Sequence, residues 1–288
     1  MYLTLEPCAH QGRQPPCTEA ILEAGIGRVV IASEDPSEKA AGRGPGILRD
    51  GGVEVEFAAG EEAAAARLLN QAFRKHARTG LPLVTLKMAM SMDGRFVTPP
   101  GDSRWISGER SRALVHRWRA EHDAIAVGIG TALADDPLLT SRDTPASAVP
   151  LPPYMEQRNS GRLVCRPTRV IFDRQARLPL DSQLLQTLDQ APLIVITAPR
   201  ADASALRDAG AEIAVADGIH AALADLGRRG ITSLFLEGGP TLAAAFVEAG
   251  EVDEARTFVA PVLLAGPERR SALNVTEDTL IVARFKEW

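Results

Sequence analysis

The sequence predicts an α/β protein built on a mostly parallel central sheet. Short apolar, β-branched runs recur at 84–86, 124–127, 169–173, 193–197 and 233–236. Runs of that length without polar alternation suit strands buried on both faces. Helical spacing fills the gaps between them, and glycine turns follow two of the runs, at Gly128-Ile129-Gly130 and at Gly238-Gly239. Alternating strands and helices make a parallel sheet with helices on both faces the economical architecture. Polar residues gather at the strand ends, which is where such sheets bind ligands.

Residues 2–5 read as a strand ending in Glu6-Pro7-Cys8. Residues 18–24 read as a helix closed by Gly25, with Cys17 at its start. A thiol at a helix N-terminus has a lowered pKa, which favours thiolate and metal binding; two buried free cysteines are the plainer reading. A strand at 29–32, a Gly/Pro/Ser-rich loop at 33–46, a short helix at 46–51 and an edge-like strand at 53–57 follow. Residues 61–78 predict one continuous helix, alanine-rich, acidic at its start and basic at its end, with Gly80 beyond it. Pro82 marks the boundary between domains at 1–80 and 81–288.

The second domain opens on the strand from Val84, which turns at Asp93-Gly94. A helix is expected over 107–122, with Ser107 as N-cap and Leu114, Val115 and Trp118 on its buried face. The strand 124–127 runs through a glycine turn into a helix that Asp135-Asp136-Pro137 stops, because a residue before proline is pushed out of the α region. Residues 143–163 read as a Pro/Ser/Ala-rich insertion or lid. Further on, strands are expected at 169–173, 193–197, 211–215 and 233–237, with helices at 202–209 and 221–229. In Glu237-Gly238-Gly239-Pro240-Thr241-Leu242, glycine permits close backbone approach and proline suits a first helical turn. The exposed N–H groups suit a dinucleotide pyrophosphate, although a plain β–α turn looks the same.

Composition narrows the function classes. A net charge of −5 argues against nucleic-acid or membrane surfaces as partners, and no apolar run reaches the length of a membrane span. Three cysteines and no basic leader fit a reducing, cytoplasmic setting. A small-molecule substrate and a homo-oligomeric state are expected.

Three strings taken in order, Lys87-Met88-Ala89-Met90-Ser91-Met92-Asp93-Gly94-Arg95, Ser103-Arg104-Trp105-Ile106-Ser107 and Thr131 through Arg142, resemble the reductase domain of the bifunctional RibD family of riboflavin biosynthesis. The resemblance implies a dihydrofolate-reductase-like fold. It also implies NADPH-dependent reduction of the ribose of 5-amino-6-(5-phosphoribosylamino)uracil to a ribityl chain. Cofactor contacts then fall on Ala89, Trp105, Thr131, Asp135 and the run Gly239, Pro240, Thr241, Leu242, Ala243, Ala244, Ala245. Substrate contacts fall on Ser103, Arg119, Leu139, Arg142 and Glu237, with Arg119 and Arg142 suited to the 5-phosphate through bidentate hydrogen bonds. Lys87, Asp135 and Glu237 are the candidate catalytic groups. Arg174 follows a strand where the family contacts its cofactor, and a guanidinium there suits the 2′-phosphate.

The first domain resembles the second half of a cytidine-deaminase-like zinc domain, in Thr4-Leu5-Glu6-Pro7-Cys8 and Pro16-Cys17. That makes Cys8 and Cys17 the implied Zn2+ ligands. The partner motif is His-x-Glu. None of His10, His76, His116, His122 and His220 begins one, so two thiolates are left short of a tetrahedral site and of its proton shuttle. His10, between the cysteines, is a poor substitute. The expectation is an active reductase joined to a deaminase remnant without activity. The alternatives are a bifunctional enzyme whose His-x-Glu half lies outside this chain, and a non-catalytic nucleotide-binding module. The family also implies a last strand beyond Trp288.

Overall fold

The computed structural model describes residues 1–11, 15–40, 42–96, 106–141, 166–264, 270–271 and 277–288. Ser103, Trp105, Arg142 and the 143–163 stretch lie outside the described residues. The chain forms two compact units, Met1–Leu83 with Glu287–Trp288, and Val84–Lys286.

The first unit carries a three-stranded parallel sheet in the order β1 (Tyr2–Leu3), β2 (Arg28–Ile31), β3 (Glu54–Phe57). Helices α1 (Cys17–Glu23) and α2 (Arg43–Asp50) pack against each other, and Ile21, Val29, Ile31, Leu48 and Val53 form the core. The second helix begins earlier than the composition suggested. Gly42 adopts a left-handed conformation at its N-cap, and Pro45 fits within the first turn, where it costs no hydrogen bond.

The helix expected over 61–78 is two helices, α3 (Gly60–Leu69) and α4 (Gln71–Thr79). Asn70 makes the break by leaving helical geometry, and its side-chain amide donates to the carbonyls of Ala66 and Thr4. Local side-chain bonds of this kind compete with the helical ladder. On α4, Arg74 and Lys75 are buried. Arg74 is satisfied by Ser33, Glu34 and the Trp288 carbonyl, and Lys75 lies over the Trp288 ring.

The second unit is organised on an eight-stranded sheet in the order β13-β10-β4-β9-β5-β6-β7-β8. In chain order these are β4 (Leu83–Ser91), β5 (Ala124–Gly128), β6 (Thr168–Phe172), β7 (Leu193–Thr197), β8 (Glu212–Val215), β9 (Ser233–Leu236), β10 (Glu254–Ala260) and β13 (Thr279–Arg284). The pairs β4/β10, β5/β9, β5/β6, β6/β7 and β7/β8 run parallel, and β13 closes one edge antiparallel to β10. A separate two-stranded antiparallel sheet pairs β11 (Val262–Leu263) with β12 (Arg270–Ser271). The mostly parallel sheet expected from the sequence is present.

Helices α5 (Glu109–Glu121), α6 (Ile129–Asp135), α7 (Gln183–Gln186), α8 (Ser204–Asp208), α9 (Ile219–Arg228) and α10 (Pro240–Glu248) connect the strands. One core joins Ile125, Val127, Ile171, Leu184, Leu193 and Val195. A second sets Trp118 against Phe258, stacked at 5.4 Å, and edge-on to Phe235 at 6.1 Å.

Ser107 does not cap α5. The N-cap is Gly108, and the cap comes from Asp278, whose carboxylate accepts from the Gly108 N–H at 2.7 Å and from the Ser111 hydroxyl at 2.6 Å. An acidic group at this end also suits the helix dipole. The stop after α6 is as expected, with Asp136 driven into the left-handed region just before Pro137.

Candidate active site

Two neighbouring parallel strands, β5 and β9, deliver the site from the same end of the sheet. Strand β5 passes directly into α6 through Gly128, and β9 reaches α10 through Glu237-Gly238-Gly239. Neither N-cap residue, Gly128 or Gly239, offers a side chain, so both helices begin uncapped. The first N–H groups of a helix have no intrahelical partner. Those at the starts of α6 and α10 are the groups such a turn offers to an anion. A Cβ on Gly239 would stand 3.4 Å from the Thr131 hydroxyl, and one on Gly238 would press into Leu242 at 3.0 Å. The two turns thus approach each other closely, with Leu242 packed against Gly128 and Gly238, and Thr131 beside Gly239. Two adjacent helix starts of this kind suit a pyrophosphate. Pro240, Thr241 and Ala244 are exposed along α10, while Ala243 is buried.

Glu237 extends the β9 ladder by donating its N–H to the Ala126 carbonyl at 2.9 Å. Its carboxylate accepts from Arg119 of α5 at two points, Nε to Oε1 at 2.5 Å and Nη2 to Oε2 at 3.0 Å. The third arm of the guanidinium, Nη1, donates to the Thr140 carbonyl at 3.1 Å. The side chains of the pair are only 16% and 9% exposed. Burial pushes the Glu237 carboxyl up, but Arg119, aided by Lys87 and His116, outweighs it and holds the group below the usual carboxylate range. Lys87, in the middle of β4, responds in the opposite sense. Burial pushes its ammonium below the usual lysine range against the pull of Glu237, and Arg119 adds to the lowering.

Lys87, Arg119 and Glu237 are therefore one electrostatic unit, although they come from three separate elements. Arg119, expected at the substrate phosphate, spends three of its five N–H donors on Glu237 and Thr140. His116 and Thr140 join the site without having been read from the sequence. The signal for His116 was available, because it sits three residues before Arg119 on the same helix face.

The other expected residues are placed as follows. Ala89 packs beside the Trp118 cluster. Asp135 is the exposed last residue of α6. Leu139 has a left-handed backbone and a side chain only 3% exposed, buried among Ile171, Leu184 and Leu185. Any contact it makes with a ligand is consequently through its main chain. Arg174 lies past the end of β6, exposed, with Asp217 at 3.8 Å.

In the first unit, the thiols of Cys8 and Cys17 lie 3.4 Å apart, close to the roughly 3.8 Å that two sulfurs span on a tetrahedral zinc. By distance the pair fits half of such a site, but Cys17 is exposed rather than buried, and desolvation and Cys8 push its thiol up, against the lowering expected at a helix start. His10 Nδ1 is buried without a partner. Among the described residues, no three His, Cys, Asp or Glu side chains form a group that could hold a metal. The described residues do not make a complete zinc centre.

Residues 82–285 match the family model of the RibD C-terminal domain. The riboflavin biosynthesis protein RibD of Bacillus amyloliquefaciens is 39% identical over 273 residues, covering 92% of this chain and 68% of that protein. The Escherichia coli RibD is 34% identical, covering 93% and 72%. Among solved structures, Acinetobacter baumannii RibD superposes with a TM-score of 0.78 at 38% identity, covering 94% of this chain and 71% of that one. A Thermotoga maritima deaminase/5-amino-6-(5-phosphoribosylamino)uracil reductase gives 0.77 at 29% identity, covering 98% and 78%. The second unit has the dihydrofolate-reductase-like fold of these reductase domains, and the chain belongs to the RibD family of riboflavin biosynthesis proteins.

Proposed function

We propose that the Val84–Lys286 unit reduces the ribose of 5-amino-6-(5-phosphoribosylamino)uracil to its ribityl chain with NADPH. The observation that carries this reading is the buried Lys87–Glu237–Arg119 unit, whose Glu237 leads directly into the Gly238-Gly239 turn at the start of α10. The cofactor, when bound, supplies hydride. Net reduction breaks the C1′–O4′ bond, adds hydride at C1′ and adds one proton at O4′, so the protein must provide an acid near that oxygen.

Lys87 suits that role. Its lowered pKa makes the ammonium a better proton donor than an ordinary lysine at neutral pH. Glu237 keeps the ammonium charged and is itself held ionised by Arg119. The remaining Arg119 donors, with Ser103, Arg142 and the Leu139 main chain, bind substrate. Ala89, Trp105, Thr131, Asp135 and the Gly239–Ala245 turn bind cofactor, and Asp135 assists proton delivery from the cofactor side. Arg174, exposed and 3.8 Å from Asp217, suits a 2′-phosphate.

The incomplete cysteine pair supports no deamination step within the chain. No helix among the described residues is long and apolar enough to cross a membrane. Homo-oligomerisation is supported by the β13 edge strand, where Leu280, Ile281 and Val282 are exposed. The deciding experiment is NADPH oxidation by the purified chain with the phosphoribosylaminouracil. Turnover that yields the ribitylamino product is expected, and no oxidation at millimolar substrate would overturn the reading.

A further inference from the structure

The segment 136–140 carries two non-glycine residues in the left-handed region, Asp136 at φ 39° and Leu139 at φ 49°. Such backbones persist only where the surroundings over-determine them. The surroundings here are specific. Gln183, the first residue of α7, holds Asp136 at two points. Its N–H donates to Asp136 Oδ1 at 2.8 Å, and its side-chain Nε2 donates to the Asp136 carbonyl at 2.5 Å. The Asp136 carboxylate thereby replaces the missing cap of α7, whose own N-cap, Ser182, makes no side-chain capping bond.

At the Asp136 end, close packing does not do this work. A cavity of about 190 Å3 opens against Asp136, lined also by Ala132, Leu133, Pro179, Asp181 and Ser182. Further along the segment, buried Arg169 reaches within 3.5 Å of the Leu138 carbonyl while anchored on Thr187 and Ala191. The Leu139 side chain locks into the core. The far end of the segment is the Thr140 carbonyl, which receives Arg119.

We infer that Gln183 is a positioning residue of the reductase. It acts through Asp136 to set the strained 136–140 segment, and so the Thr140 carbonyl that orients Arg119 on Glu237. The inference rests on the reading of this site as the substrate site. Gln183 lies 43 residues beyond Thr140 in sequence and belongs to none of the motifs that resemble the family.

The test compares Gln183→Ala, Gln183→Glu and Gln183→Lys in the full chain. Alanine removes the side-chain donor, and glutamate sets an acceptor against the Asp136 carbonyl. Both raise the substrate KM about 3- to 10-fold, as expected for one lost hydrogen bond, with the NADPH KM changed less than twofold. Lysine restores a donor and returns the substrate KM to within about threefold of the parent. Amide hydrogen exchange over 136–140, measured without ligands, speeds up in the alanine and glutamate variants.

A folded Gln183→Ala protein with lowered thermal stability but unchanged KM would assign Gln183 a purely structural role and overturn the inference. Unchanged exchange would overturn it as well. If the parent chain itself fails to turn over, the functional reading falls separately, and the exchange measurement alone decides whether Gln183 holds the segment.

Discussion

Arg119 and Glu237 face each other in a two-point contact, 2.5 and 3.0 Å, across 118 residues of sequence. A planar guanidinium matched to a carboxylate fixes direction as well as distance. The pair therefore sets the orientation of a carboxylate that also acts on Lys87.

Glu237→Gln keeps the shape and removes the charge. One acceptor remains for Arg119, while a largely buried guanidinium loses its counter-ion. The expected loss is about 1–3 kcal/mol, read from urea unfolding. The sign with pH follows from the lowered Glu237 pKa. The stabilisation is present above the unfolded carboxylate pKa of about 4.3 and is lost as pH falls through the lower folded value. The parent and variant curves should therefore converge in acid. Parallel curves down to pH 3 would mean that the pair contributes nothing.

Lys87→Met should separate activity from stability. Loss of the acid is expected to lower kcat by about 100-fold or more. Burying the ammonium is costly, so the variant should be as stable as the parent or more so at neutral pH. In the parent, kcat should fall with rising pH along a limb centred below the ordinary lysine value of about 10.4. Retained turnover in Lys87→Met would remove the residue from the chemistry.

His122 should make the second unit acid-sensitive. Its Nδ1–H donates to the Trp118 carbonyl at 2.7 Å, and its Nε2 lies 3.2 Å from the Thr85 hydroxyl. Burial pushes its pKa down to about 4. The unfolded chain binds this proton near 6.5, so stability falls as pH drops from about 6.5 to 4, by up to about 3 kcal/mol. Denaturant midpoints at pH 7.5 and 5, compared with those of His122→Gln, check this. The variant should lose less on acidification.

If Arg174 meets the 2′-phosphate as proposed, Arg174→Ala should raise the KM for NADPH about 10-fold and leave that for NADH within twofold. Equal effects on both cofactors would place Arg174 elsewhere on the ligand, and no effect would leave it as an exposed partner of Asp217.

Strands buried on both faces were legible in the sequence because nothing polar interrupts Ala124–Val127 or Leu193–Thr197. Strand β10 was not legible. Glu254 and Arg256 lie inside it and mask the apolar pattern, yet Glu254 is only 2% exposed because Arg256 and Arg284 both neutralise it. The break at Asn70 and the cap on α5 escaped for a related reason. Each depends on a partner far along the chain, Thr4 in one case and Asp278 in the other. At the candidate site, the resemblance picked out Lys87, Arg119 and Glu237, whereas the bonds from Arg119 to the Thr140 carbonyl and from Gln183 to Asp136 carry no local signature.

Asp253 has a use beyond its own strand end. Its side chain accepts from the Val84 N–H at 2.8 Å, its carbonyl accepts from the Phe285 N–H at 2.8 Å, and Lys286 Nζ stands 3.8 Å from its carboxylate. The second unit thus begins and finishes at a single residue. A segment whose ends already meet imposes little separation on whatever chain surrounds it, so residues 84–286 have the geometry of a cassette. Such a cassette can be lifted out, or spliced into the surface turn of another scaffold, without prying that scaffold apart.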